Sequence, residues 1–210
     1  PWDGKYALKP VCPQGRIISS PVAFIGKVLP SIAYAHPFAP ALSIAAFLFD
    51  NLTLHPKIRE QGGAYGGGAV SNPMSGSFYF YSYRDPNVQA TFEAFEEAIK
   101  RVVDGEFEME DIEEAKFEMV QSLDSPVSPG SRAEVAYSWI REGKSLDMRQ
   151  AFREKLLQVT PEDIVTAVSQ VIAPHYSEGA SVVFAGKELL EKANAEMAEA
   201  GAAPLKIQGI

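Results

Sequence analysis

The sequence holds a single cysteine, Cys12, and only three histidines, His36, His55 and His175. One cysteine cannot close an internal disulfide, so a reducing compartment is expected. No CxxC pair or flanking histidine marks Cys12 as reactive, and it reads as a buried or loop thiol. None of the histidines has a second histidine three or four positions away. His175-Tyr176-Ser177-Glu178 opens like a zinc motif, but it lacks the second histidine and follows Pro174. No metal site contained in this chain is therefore expected. Basic runs are absent as well. A net charge of −8 and a pI near 5.0 leave no stretch that could release phosphate counterions, which argues against a nucleic-acid partner. An acidic surface favours solubility and, weakly, basic peptides. No apolar stretch approaches the ~20 residues that a bilayer span needs, so no membrane partner is expected. The longest, residues 39–54, is interrupted by Pro40, Ser43, Asp50 and Asn51. The chain begins Pro1-Trp2-Asp3-Gly4, with neither an initiator methionine nor a signal or transit segment, and it reads as a piece of a larger polypeptide.

What is present is enough for one substantial core. The chain has 210 residues, 46% of them hydrophobic and 22% charged, in the ordinary range for a globular protein. Residues 1–15, with Pro1, Pro10 and Pro13, are expected to form an arm or linker, and residues 16–210 a single module. Residues 16–29 are β-branched and apolar and predict a strand, with Pro21 at an edge or bulge. Residues 40–54 predict a helix, with Leu42, Ala45, Ala46 and Phe49 on one stripe and His55-Pro56 as its end. Residues 64–72 and 76–84, joined across Pro73-Met74-Ser75, form a hairpin signature, its second arm dense in aromatics. Asp85-Pro86 predicts the start of a helix whose apolar face carries Val88, Phe92, Phe95, Ile99 and Val102. Further helices are expected from residue 108 (Ile112, Ala115, Met119, Leu123), from Ser128-Pro129, from Ser145 and from Thr160-Pro161. A short buried strand over 179–186, a helix over 188–200 and a last strand over 205–210 complete the order. Strands separated by helices, yet including a hairpin, predict an α+β fold: a mainly antiparallel sheet with helices packed on one face. A doubly wound parallel sheet fits less well, because strand–helix alternation fails at the hairpin.

Two further site chemistries find little support. The glycine-rich run at 62–68 has no Gly-Lys-Ser/Thr after it and no helix behind it, so it is not a phosphate loop. No serine lies in a G-x-S-x-G elbow, and the carboxylates of residues 106–118 read as the solvated face of a helix.

Residues 59–69, Arg-Glu-Gln-Gly-Gly-Ala-Tyr-Gly-Gly-Gly-Ala, stand apart. Arg59 and Tyr65 flank glycines that tolerate close backbone approach, so another chain could lie against this one. A permanent forked donor and a hydroxyl on a rigid ring suit a held peptide backbone or anion. The motif is expected at the mouth of the hairpin sheet, with Arg59 in a loop.

This segment resembles the C-terminal signature of the pitrilysin/insulinase-type zinc metallopeptidases, and within them the presequence-protease branch. The stretch Phe78-Tyr79-Phe80-Tyr81-Ser82-Tyr83-Arg84-Asp85-Pro86 resembles the strand and helix start that follow it there. The resemblance implies a LuxS/MPP-like metallohydrolase module, one of several that close around an unfolded peptide. It implies that zinc is bound by an N-terminal catalytic module of the same polypeptide through H-x-x-E-H, a motif missing from this sequence. Arg59 and Tyr65 match the family positions that reach the substrate near the scissile bond, and they are the implied catalytic and substrate-binding residues. Gly62 and Gly63 would let substrate approach. The fragment alone would then be inactive and would hold no cofactor. The compartment stays open between a bacterial cytoplasm and an organelle matrix, mitochondrial or chloroplast. Two alternatives also stay open: a non-catalytic subunit of the processing-peptidase type, and a free-standing peptide-binding domain using a sheet edge.

Overall fold

Residues 12–209 are described by the computed structural model. The expected arm falls outside them as far as residue 11, and Gln14 and Gly15, assigned to it, already belong to a strand. The single strand expected over 16–29 is in fact two, β1 (Gln14–Ile17) and β2 (Ala23–Pro30). Residues 18–22 turn between them. Pro21 has no N–H for a ladder there, and Ser20 Oγ donates to the Val22 carbonyl (2.8 Å) while accepting from the Val22 N–H (3.2 Å).

Four more strands complete the sheet: β3 (Gly66–Asn72), β4 (Ser77–Asp85), β5 (Ala180–Ala185) and β6 (Lys206–Gly209). Their order is β3-β4-β2-β5-β1-β6. The β3–β4, β4–β2 and β2–β5 pairs are antiparallel, whereas β5–β1 and β1–β6 are parallel. The sheet is thus mainly antiparallel, with the expected hairpin at one edge. Side-chain alternation gives it one dry face. Ala23, Ile25 and Leu29 of β2 and Phe78 and Phe80 of β4 are buried, while Phe24, Val28 and Tyr83 on the opposite face stay exposed.

Helices cover the dry face. The first is α1 (Ala39–Phe49), whose Phe49 meets Phe78 and Phe80 at ring-centroid distances of 5.8 and 5.6 Å. In α2 (Gln89–Val103), Phe95 lies 5.1 Å from Phe80. Each fully buried ring of this kind contributes about 1.5–3 kcal/mol, so this aromatic cluster anchors helices to sheet. The expected apolar face of α2 is buried, but its start is not at Asp85-Pro86. Asp85 is the last residue of β4, fully buried, and the helix begins at Gln89.

The remaining helices are α3 (Met109–Leu123), α4 (Arg132–Arg141), α5 (Leu146–Gln158), α6 (Pro161–Ala167) and α7 (Lys187–Glu199). Capping boxes at Glu108/Asp111 and Thr160/Asp163, and Ser145 accepting from the Met148 N–H, fix three of their starts. The expected stripe on α3 is buried only in its first half: Ile112 and Ala115 are covered, whereas Leu123 is exposed. None of the α4 residues is buried. No helix among the described residues is long and apolar enough to cross a membrane.

His55-Pro56 does not end the first helix. The chain continues from α1 into a wider, π-type segment, Asp50–Gln61, with Pro56 inside it. Proline lacks the N–H that would bond the Leu52 carbonyl in an α-helix. That carbonyl instead accepts Arg101 Nη1 from α2 at 2.6 Å, and the wide winding ends with the Gly62 N–H on the Lys57 carbonyl at 2.9 Å. The segment also guards an edge of the sheet. Asp50 Oδ1 accepts the outward-pointing N–H of Ala69 on β3 at 2.6 Å. Burial pushes the Asp50 carboxyl up to about 7, against the lowering effect of that hydrogen bond and aided by nearby Glu118.

Candidate functional site

The extra helical length delivers Arg59. Instead of lying in a loop, it sits in the last turn of the π-type segment. Its Nη1 is 3.3 Å from Nε2 of His55, one turn earlier, and His55 Nδ1 is 3.6 Å from Glu60 Oε1. Among the described residues the imidazole therefore braces the guanidinium from behind.

From Arg59 to Tyr65 the backbone reverses in a tightly tied turn. The Gly63 N–H donates to the Arg59 carbonyl (3.1 Å) and the Ala64 N–H to the Ile58 carbonyl (3.1 Å). Asn87 Nδ2 donates to the Gly62 carbonyl at 2.7 Å, linking the turn to the start of α2. Gly63 has φ +76°, where glycine is favoured. A Cβ on Gly62 would stand 2.6 Å from the Ile58 carbonyl oxygen. Gly62 is thus explained by the protein's own backbone and is not among the cleft-lining residues described below, whereas Gly63 is one of them.

Tyr65 leads into β3 and is 62% exposed. Its ring rests 5.4 Å from that of Tyr83 across the hairpin. Gly66 makes this possible, because a Cβ there would lie 2.4 Å from the Tyr83 ring. The close approach that the glycines permit is here made by an aromatic ring of the same chain.

Arg84 is the residue that sequence reasoning missed. The β2–β4 register runs Ala23 opposite Asp85 and Phe24 opposite Tyr83, so Arg84 is bulged out of the ladder. Its φ of +52° makes it the one non-glycine residue with positive φ among those described. For a bulky side chain this conformation costs about 1–3 kcal/mol and persists only where the surroundings impose it. Asp85 imposes it: its buried carboxylate accepts Ser82 Oγ (2.7 Å), Thr91 Oγ1 (2.6 Å) and the Asn87 N–H (2.8 Å). The bulge aims the Arg84 guanidinium over Tyr65, 5.7 Å from the ring centroid.

Arg59, Tyr65 and Arg84 line one open cleft of about 730 Å³, whose far wall is the β1–β2 turn at Ser20–Val22 together with Phe24. Among the described residues no acidic side chain lines it, although the chain carries a net charge of −8. The site can donate hydrogen bonds to carbonyl or carboxylate oxygens. It offers no nucleophile–base pair. Nor do the chain's own residues fit a zinc ion: His175 meets Glu178 at 3.4 Å, yet no group of three histidine, cysteine, aspartate or glutamate side chains converges among the described residues.

Comparison with known proteins gives this geometry a context. The family model described as the PreP C-terminal domain matches residues 22–187. The mitochondrial presequence protease of Mus musculus is 40% identical over 153 residues, covering 73% of this chain and 14% of that protein. The Xenopus laevis protein of the same description is 37% identical over 155 residues, 74% of this chain and 15% of its own length. This chain therefore corresponds to a small part of such relatives. Among solved structures, the peptidase M16 inactive domain from Pseudomonas fluorescens superposes with a TM-score of 0.66 at 16% identity, over 84% of this chain and 43% of that one. The first half of the periplasmic protease PqqL from Escherichia coli gives 0.62 at 16% identity, over 95% and 48%. At such identities the likeness shows the fold alone, and the fold is that of M16 peptidase domains.

Proposed function

The chain belongs to the PreP C-terminal domain family, and from that premise we propose that it is the C-terminal, non-zinc-binding module of an oligopeptidase that cleaves short unfolded peptides. The observation that carries this reading is the convergence of Arg59 and Tyr65 on one acid-free cleft. Both donors are exposed and neither is consumed by the core. An N-terminal catalytic module of the same polypeptide would supply the zinc and the water-activating chemistry. Tyr65 Oη and the Arg59 guanidinium would donate to the scissile carbonyl oxygen, where negative charge develops as the bond breaks. Because the two halves of such a site lie on different modules, the modules must close before it is complete.

Three features support a role within a larger peptide-handling protein. The sheet face left free of helices carries Phe24 in the cleft, Tyr83 paired beside it and Val28 further along β2, apolar surface suited to an unfolded chain. Tyr137 and Ile140 on α4 are 64% and 80% exposed, apolar surface that the rest of a longer polypeptide would cover. At the hairpin edge, Ala69 has its outward N–H taken by Asp50, which disfavours peptide binding by strand addition at that edge. A purely structural subunit would have no use for Arg59 and Tyr65 together. A mitochondrial matrix or bacterial cytoplasm suits the unpaired Cys12.

The reading is tested by comparing the longer polypeptide with these 210 residues on a fluorogenic, unstructured peptide. The longer protein should cleave it and lose that activity to a chelator, with zinc restoring it, while the isolated chain should be silent. Cleavage by the isolated chain, or chelator-resistant cleavage by the longer one, would refute the division of labour.

A further inference from the structure

Resting on that proposed peptidase reading, we infer that Arg84 is a substrate-binding residue that recognises a carboxylate of the peptide beside the scissile bond. An exposed arginine is ordinarily a solvated surface group, but three observations separate Arg84 from that description. First, it occupies a bulge at φ +52°, held by the buried Asp85 network, so the fold spends a disfavoured backbone conformation on setting this side chain's direction. Second, that direction places its guanidinium against the face of Tyr65, in the same cleft as Arg59. Third, the lining of the cleft supplies no carboxylate, and among the described residues the Arg84 nitrogens have no hydrogen-bond or ion-pair partner. Two guanidinium groups, the Tyr65 hydroxyl and Ser20 around an acid-free opening form a complement to an oxyanion on an otherwise acidic protein.

A planar guanidinium matches a carboxylate through paired N–H donors, a geometry that an ammonium cannot reproduce. Arg59 is oriented by His55 and assigned to the scissile carbonyl; Arg84 remains for the second oxygen-bearing group. That group is either an aspartate or glutamate side chain within a residue or two of the cleaved bond, or the free C-terminus of a short peptide. Both present the same chemistry, and the substrate set can tell them apart.

The experiment measures kcat/KM of the longer polypeptide on matched peptides with glutamate or glutamine next to the cleaved bond, and with a C-terminal acid or amide. The wild-type protein should prefer a carboxylate in at least one pair. Arg84→Gln should reduce that preference roughly 5- to 10-fold, the scale of one charge-assisted hydrogen bond at a partly open site. Arg84→Gly should do the same while suiting the positive φ, so an effect common to both variants is not a folding defect. Arg84→Lys should restore only part of the preference. Movement of the glutamate/glutamine ratio identifies a side chain as the ligand, and movement of the acid/amide ratio identifies the terminus. Unchanged ratios in Arg84→Gln and Arg84→Gly, with cleavage intact, would overturn this inference and leave the peptidase reading standing. A wild-type protein that cleaves none of the peptides would remove both.

Discussion

Replacing Tyr65 with phenylalanine in the longer polypeptide should lower kcat roughly 100- to 1,000-fold, the loss expected when one donor to a developing oxyanion is removed. Folding should be nearly untouched. The ring is 62% exposed and keeps its contacts with Tyr83 and Arg84, since only the hydroxyl is lost. A change in unfolding free energy within about 0.5 kcal/mol is expected for so exposed a substitution. The diagnostic is therefore a split between turnover and stability, read from steady-state kinetics and a denaturant titration on the same preparation. A rise in KM with kcat unchanged would instead make Tyr65 a ground-state binding residue and remove it from the chemistry.

A second large effect is expected at Asp50, which is not among the residues that line the cleft. Its carboxyl is raised from 3.8 to about 7 by burial, so the folded protein holds a proton there that the unfolded chain releases near pH 4. A raised folded pKa means that the group costs nothing below the unfolded value, near pH 4, and becomes progressively destabilising from there until pH has risen through about 7. The full cost, reached above pH 8, is on the order of 4 kcal/mol. Asp50→Asn keeps an acceptor for the Ala69 N–H without the charge. The variant should exceed the wild type by about 1.5 kcal/mol at pH 5 and by about 4 kcal/mol at pH 8.5, as judged by chemical denaturation at both values. A stability difference that does not vary with pH would show that Asp50 keeps its ordinary titration.

Much of this architecture is legible in the sequence because it rests on periodicity. The hairpin shows itself through alternating aromatics, and α2 through the spacing of Phe92, Phe95, Ile99 and Val102. What sequence reasoning misplaces depends on long-range compensation. Pro56 looks like a stop because the Arg101 side chain that rescues the Leu52 carbonyl comes from another helix, 49 residues further on. With the helix cut short, the one-turn pairing of His55 with Arg59 goes unseen, and Arg59 is assigned to a loop. Pro21 looks like a blemish in one strand because nothing local tells that β1 and β2 enter the sheet at different positions. α4 reads as an ordinary helix, yet it buries nothing among the described residues. In the proposed longer polypeptide those apolar positions would be covered by more protein.

The site divides along the same line. Arg59 and Tyr65 are visible as a motif, and the family match over 22–187 supports the resemblance that singled them out. Arg84 is invisible as a site residue. A bulge exists only in the register between two strands, and the Tyr-Arg-Asp-Pro stretch reads equally well as the end of a regular strand followed by a helix cap. Gly62 and Gly66 also have a reason within the chain itself. Glycines that suggest room for a foreign chain are needed for the Ile58 carbonyl and the Tyr83 ring.

The account turns on whether the Arg59–Tyr65 cleft meets the scissile bond. The most direct measurement is a structure of the longer polypeptide, with the proposed N-terminal H-x-x-E-H motif inactivated by substitution and a peptide bound. The expected result is Tyr65 Oη and an Arg59 nitrogen within hydrogen-bonding distance, about 2.7–3.1 Å, of the scissile carbonyl oxygen in the closed form. A closed complex in which the peptide is engaged while both side chains point to solvent, far from that oxygen, would contradict it.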